Sequence, residues 1–93
     1  MLLKNYHVQH ILVKAQYEAL DLLKKLEEGS NFEVLAKKFS TCPSAPCGGD
    51  LGVLKMGQAD GDFEEAVLKL KLGEISSQPV RTKFGYHLLK RIA

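Results

Sequence analysis

Polar and apolar positions alternate from Tyr6 to Val13, which predicts a strand. Tyr6, Val8, His10 and Leu12 fall on one face, and His7, Gln9, Ile11 and Val13 on the other. The period then changes. Between Ala15 and Glu28, Ala19, Leu22, Leu23 and Leu26 recur at helical spacing, with Leu20 widening the stripe. Gly29 ends that helix. Ser30-Asn31-Phe32-Glu33 reads as a capping box, with Ser30 as N-cap and Glu33 reaching back. Phe32, Leu35, Ala36 and Phe39 then form the stripe of a second helix.

Residues 40–52 are irregular and rich in proline and glycine. Leu51 to Lys55 predicts a short second strand, and Gly57 to Gly61 a second loop. Asp62-Phe63-Glu64-Glu65 opens a third helix with an acidic first turn, suited to the helix dipole. Its stripe is Phe63, Ala66, Val67 and Leu70, and Gly73 ends it. Pro79 to Thr82 predicts a third strand, which its proline assigns to a sheet edge. Gly85 marks a turn, and Tyr86 to Ile92 closes the chain as an aromatic and aliphatic strand. The resulting order is β-α-α-β-α-β-β. The closing hairpin and irregular middle favour an α+β fold with a four-stranded antiparallel sheet and helices packed around it. There is no internal repeat.

A chain of 93 residues reads as one domain, spanning 1–93, with a single modest core. A hydrophobic fraction of 45% and a charged fraction of 26% are those of an ordinary globule. A formal charge of +2 is too small to imply a nucleic-acid or membrane partner, and Lys and Glu are interleaved rather than clustered. No apolar run is long enough for a membrane span. Met1 to Lys4 is too short an apolar start for a signal peptide. The expectation is a cytoplasmic monomer, or a domain cut from a longer secreted chain.

Two apolar strands each carry one imidazole, His10 and His87. If those strands are adjacent and central, the rings meet. A lone histidine in a strand is usually a satisfied core residue, so a structural role weighs ahead of proton transfer. Neutral imidazole donates from one nitrogen and accepts at the other. His7 and His10 point to opposite faces, which opposes a chelating pair. Cys42 and Cys47 form Cys-x4-Cys without a second pair, a poor structural-zinc pattern, and two cysteines are too few for a disulfide scaffold. A thiol hydrolase built on Cys42 and a histidine lacks an evident oxyanion-hole turn or orienting acid. Gly48-Gly49-Asp50-Leu51-Gly52 lacks the Gly-Lys-Ser/Thr ending of a phosphate loop, and Asp50 would repel phosphate.

The sequence resembles the parvulin family of peptidyl-prolyl cis-trans isomerases over nearly its whole length. The resemblance is carried by His10-Ile11-Leu12-Val13-Lys14, by the Leu-Ala-Lys helix ending at Ser40, by Cys42-Pro43-Ser44 and by Gly48-Gly49-Asp50-Leu51-Gly52. It continues through Gly57-Gln58, Phe63, Gly73-Glu74-Ile75-Ser76, Pro79-Val80, and Thr82 with Phe84-Gly85-Tyr86-His87. The short chain is similar to the small single-domain prokaryotic members. The resemblance implies a non-covalent isomerase of X-Pro bonds in exposed, proline-containing polypeptide, needing no metal and no cofactor. It implies His10 and His87 as the paired buried histidines, Thr82 as the hydroxyl linked to them, and Cys42 beside the target bond. Leu51, Gln58, Phe63 and Phe84 would bind substrate. Where the family usually carries methionine, two residues after Gly57, this chain has Ala59, which makes the pocket shallower. That departure favours the alternative, a chaperone or peptide-binding domain with weak or no catalysis. One branch of the family prefers phosphorylated Ser or Thr before proline, which takes a basic cluster after the first strand. Here Lys14-Ala15-Gln16-Tyr17-Glu18 offers a single lysine, so no phospho-specificity is expected.

Overall fold

The alternating first segment forms β1 (Asn5–Val13), followed by α1 (Gln16–Glu27), α2 (Phe32–Phe39), β2 (Asp50–Lys55), α3 (Gly61–Leu68), β3 (Val80–Thr82) and β4 (Gly85–Arg91). This computed structural model describes residues 5–93; Met1 to Lys4, the short apolar start, lie outside the described residues. The strands form one sheet in the order β2-β1-β4-β3, with every neighbouring pair antiparallel. The two histidine-bearing strands are therefore the adjacent central pair, and β3 takes the edge that Pro79 predicts. Among the described residues no helix is long and apolar enough to cross a membrane.

Each sheet face is covered differently. Ile11, Val13 and Leu88 pack against Ala19, Leu22 and Leu23 of α1 and Phe32, Leu35 and Ala36 of α2. Tyr6, Val8 and Leu89 pack against Phe63 and Val67 of α3 on the other face. Burying each large aliphatic side chain contributes about 1.5–3 kcal/mol, so both faces stabilise the sheet. Their extent is unequal, however. α3 has 8 residues and a length of about 12 Å, whereas the 9 residues of β1 run for about 30 Å. Part of the α3 face is left without a helix over it, and a cleft opens there.

Several local expectations shift. Asn31, not Ser30, caps α2: its Oδ1 accepts the Val34 N–H at 3.1 Å. Asn caps as well as Ser does, and starting one residue later puts Phe32, only 3% exposed, at the first helical position. Glu33 does not reach back to close a capping box; its Oε1 instead accepts from Gln9 Nε2 at 3.3 Å. α3 is capped by Asp60 and ends at Leu68, short of Gly73. The segment beyond is drawn to β4, where Arg91 Nη1 donates to the Leu70 carbonyl at 3.0 Å and Arg91 O accepts from Gly73 N at 2.6 Å. Leu20 and Phe39 complete their helical stripes in sequence but are 47% and 44% exposed.

Two glycines let loops close onto the sheet. Gly49 (φ +83°) and Gly85 (φ +138°) would each place a Cβ against a backbone oxygen, 2.2 Å from His10 O and 2.5 Å from Val13 O. The Gly49 carbonyl also accepts the His10 N–H at 2.9 Å, so the loop is fastened at the catalytic candidate's own backbone. Gly52 has φ +72° with nothing within 4 Å of its virtual Cβ, and separates dihedral strain from collision. Gly52→Ala is expected to cost about 1–2 kcal/mol. Gly49→Ala is expected to cost clearly more, because β1 must move. Equal losses in denaturant unfolding would show that this contact is not tight.

Candidate functional site

β1 and β4 set the centre of the site by register. His10 stands opposite Leu89, and His87 opposite Leu12, so the two histidines are diagonal neighbours on one face. Diagonal positions lie about 7–8 Å apart, within reach of rings. The imidazoles close that gap: Nδ1 of His10 lies 3.0 Å from Nδ1 of His87, with the rings stacked at 20° and centroids 5.2 Å apart. Phe63 of α3 meets both edge-on, at 5.8 Å and 82° to His10 and 5.3 Å and 78° to His87. His87 Nε2 lies 2.7 Å from Thr82 Oγ1, which also accepts the Phe84 N–H at 3.2 Å.

A hydrogen bond between two Nδ1 atoms needs one donor and one acceptor. The accepting ring is therefore neutral, and with the donor neutral as well the two are of opposite tautomer, whichever of them donates. The surroundings favour neutrality. Both histidines are 4% exposed. Burial, and then the neighbouring His87, lower the His10 pKa from 6.5 to about 4. Burial likewise lowers that of His87 to about 4, against a smaller opposing pull from the Asp60 carboxylate. His10 Nε2 is buried without a hydrogen-bond partner, as is Gln9 Oε1.

Above the pair opens a cleft of about 380 Å³. It is lined by all eight residues proposed from the sequence: His10, Cys42, Leu51, Gln58, Phe63, Thr82, Phe84 and His87. The structure brings them together from β1, the 40–49 loop, β2, the 56–60 loop, α3, β3, the hairpin turn and β4. Cys42 is held beside β1 by its backbone: Ser40 Oγ accepts both the Leu12 N–H at 3.1 Å and the Cys42 N–H at 3.3 Å. Its thiol bonds neither ring, since each His87 nitrogen is engaged elsewhere and His10 Nε2 has no partner. The Cys-His dyad of a thiol hydrolase is thus not formed. Gln58 serves a turn, its Oε1 accepting the Lys55 N–H at 2.9 Å. Phe84, on the hairpin turn, is 64% exposed. Among the described residues no three His, Cys, Asp or Glu side chains converge as metal ligands.

Leu12, Pro43, Leu54 and Asp60 also line the cleft and were not singled out in the sequence. Leu12 shares the His10 face by strand alternation, so that signal was present. Ala59 lines the cleft, while Met56 is 41% exposed and does not. His7 stands apart, its Nε2 2.6 Å from Asp50 Oδ1, which also accepts the Gly52 N–H at 2.7 Å. Those contacts, the Gly52 N–H first, hold the Asp50 carboxyl below its usual range.

The histidine chain has a thermodynamic signature. Both rings have a lower pKa folded than unfolded, so between pH 6.5 and about 4 the unfolded chain binds more protons. Their contribution to stability is complete above pH 6.5 and is lost as pH falls through that window, which thermal unfolding against pH will show. His87→Ala removes two hydrogen bonds, to His10 and to Thr82, and His10→Ala one, and a buried imidazole left unpaired costs about 1–3 kcal/mol. His87→Ala is therefore expected to be the more destabilising. An alanine variant with unchanged melting temperature would contradict the structural role.

Comparison with known proteins agrees with this geometry. The family described as Rotamase, PPIC-type PPIASE domain, matches residues 5–93. The chain is 51% identical over 83 residues to the foldase protein PrsA of Bacillus subtilis, covering 88% of this chain and 28% of the relative. The crystal structure of the peptidylprolyl isomerase PrsA from Bacillus anthracis superposes with a TM-score of 0.93 at 42% identity, over 97% of this chain and 42% of that one. NmPin, the parvulin of Nitrosopumilus maritimus, superposes with a TM-score of 0.85 at 39% identity, over the whole of both chains. The chain thus spans less than a third of its curated foldase relative but the full length of a small parvulin. It belongs to the PPIC-type peptidyl-prolyl cis-trans isomerase family, the parvulins.

Proposed function

We propose that this chain accelerates rotation about X-Pro peptide bonds in exposed polypeptide by a non-covalent mechanism. The observation that carries the proposal is the convergence of all eight candidate residues on one mostly apolar cleft over a neutral histidine pair. Unaided, such bonds rotate over a barrier of about 18–20 kcal/mol, in tens to hundreds of seconds. Twisting removes amide resonance. The prolyl nitrogen becomes more basic and the carbonyl more ketone-like, so a cleft that binds the twisted form better than either planar one is a catalyst. In this reading Leu51 and Phe63 wall the proline ring, and Phe84 and Gln58 border the chain on either side. Cys42 stands at the carbonyl edge. Thr82, His87 and His10 form a hydrogen-bonded floor that fixes this edge. No bond is made to the protein, so neither an activated thiolate nor a metal has a task.

The setting we propose is the second one considered from the sequence, the isomerase unit of a longer foldase. The higher identity to the Bacillus subtilis foldase, 51% against 39% for NmPin, supports it over a free cytoplasmic monomer. Proline-containing segments of other polypeptides are then the substrate.

A protease-free isomerisation assay on a short Xaa-Pro peptide, with chemical-shift mapping of the same peptide, tests the activity. Acceleration with shifts around Leu51, Phe63 and His87 is expected. Binding without acceleration would select the peptide-binding alternative, for which Ala59 is the argument. Cys42→Asp is expected to keep measurable activity, whereas complete loss would revive covalent chemistry. Phosphate is expected to bring no advantage: only Lys14, which is exposed, and Ala15 separate β1 from α1, too little for a basic cluster. An exposed lysine pair contributes at most about 1 kcal/mol. The ratio of kcat/KM for phosphoserine-proline over serine-proline should stay near or below one. A ratio above about ten would reveal a basic site assembled elsewhere.

A further inference from the structure

The cleft wall holds one feature that the isomerase reading does not use. Asp60 is the one Asp, Glu, Lys or Arg among the described residues that line the cleft. The rest of the lining is apolar, hydroxyl, amide, thiol or neutral imidazole. The Asp60 side chain is held in place, since its Oδ1 accepts the Asp62 N–H at 3.0 Å as the N-cap of α3, while its backbone carbonyl accepts the Glu64 N–H at 2.9 Å. Its second carboxylate oxygen has no protein partner among the described residues. The charge is felt inside the cleft, because it favours the protonated form of the buried His87 ring. Lys83 rests 5.3 Å from the Phe84 ring centroid and does not line the cleft.

We infer that Asp60 is a specificity-determining residue that selects polypeptide with lysine or arginine flanking the proline and selects against acidic or phosphorylated flanks. The inference rests on the isomerase reading of the cleft and names its substrate class. A fixed carboxylate at the rim attracts a basic side chain on the bound segment and repels an acidic one. Nothing of opposite sign in the lining cancels it. The group is exposed, so the effect is that of a surface charge pair, modest and screened by salt. Attraction and repulsion together give a Lys-over-Glu preference of about two- to tenfold.

The test uses three peptides of one length with Lys-Pro-Lys, Glu-Pro-Glu and Ala-Pro-Ala centres. Kd is read by chemical-shift titration, and kcat/KM by the isomerisation assay. The Lys peptide is expected to bind about two- to tenfold more tightly than the Glu peptide, with the preference falling toward one in about 1 M salt. Asp60→Asn keeps an equally good N-cap and is expected to abolish the preference with an unchanged melting temperature. Equal Kd values for the Lys and Glu peptides, or a preference that Asp60→Asn leaves intact, would overturn the inference. Absence of acceleration on all three peptides would instead count against the isomerase reading, and the Kd comparison would still decide the role of Asp60.

Discussion

The structure depends on one hydrogen bond between two side chains that are 77 residues apart in sequence, the 3.0 Å contact of His10 Nδ1 with His87 Nδ1. Burying two imidazoles is favourable only if both stay neutral and find partners. That requirement explains the neighbourhood. The two strands must be adjacent and antiparallel in the observed register, Thr82 must stand at the end of the short edge strand, and Phe63 must cover both rings. Each element is placed by ordinary forces, yet their joint geometry is checked at this one bond. An error of one residue in the β1–β4 register would turn one imidazole to the opposite face.

The cleft follows from a mismatch of lengths. α1 and α2 together cover one face of the sheet, whereas α3 alone covers only part of the other. The cleft opens beside that cover, with the two histidines in its lining. A glycine-mediated approach of the 40–49 loop to the His10 backbone and the β3–β4 turn carrying Phe84 bound that open region. Core packing and cleft formation are thus consequences of the same sequence periods, and α3 supplies through Phe63 both a core residue and a wall of the cleft.

Most of this was legible in the sequence. The period-two run at residues 6–13 and the helical stripes fixed the elements, Pro79 marked the edge, and the two strand histidines announced their meeting. The candidacy of Cys42, Leu51, Gln58, Phe63, Thr82 and Phe84 came only through the family resemblance, because a loop cysteine or an exposed phenylalanine carries no local sign of a cleft. What escaped was decided by competition between nearly equal local choices. Ser30 and Asn31 are both good caps, and the burial of Phe32 selects Asn31. Gly73 reads as a helix stop, yet α3 ends at Leu68, with Arg91 of β4 holding the Leu70 carbonyl and the Gly73 amide. Asp60 was hidden for a similar reason. An aspartate before a helix announces a cap, and nothing in its sequence context announces that the same carboxylate borders a cleft.

The buried pair is neutral and holds a single proton between the two Nδ1 atoms. The most direct measurement is the set of imidazole nitrogen chemical shifts of His10 and His87 at pH 7. Two neutral rings of opposite tautomer are expected, one protonated at Nδ1 and the other at Nε2. Two rings of the same tautomer, or either ring doubly protonated at that pH, would contradict it.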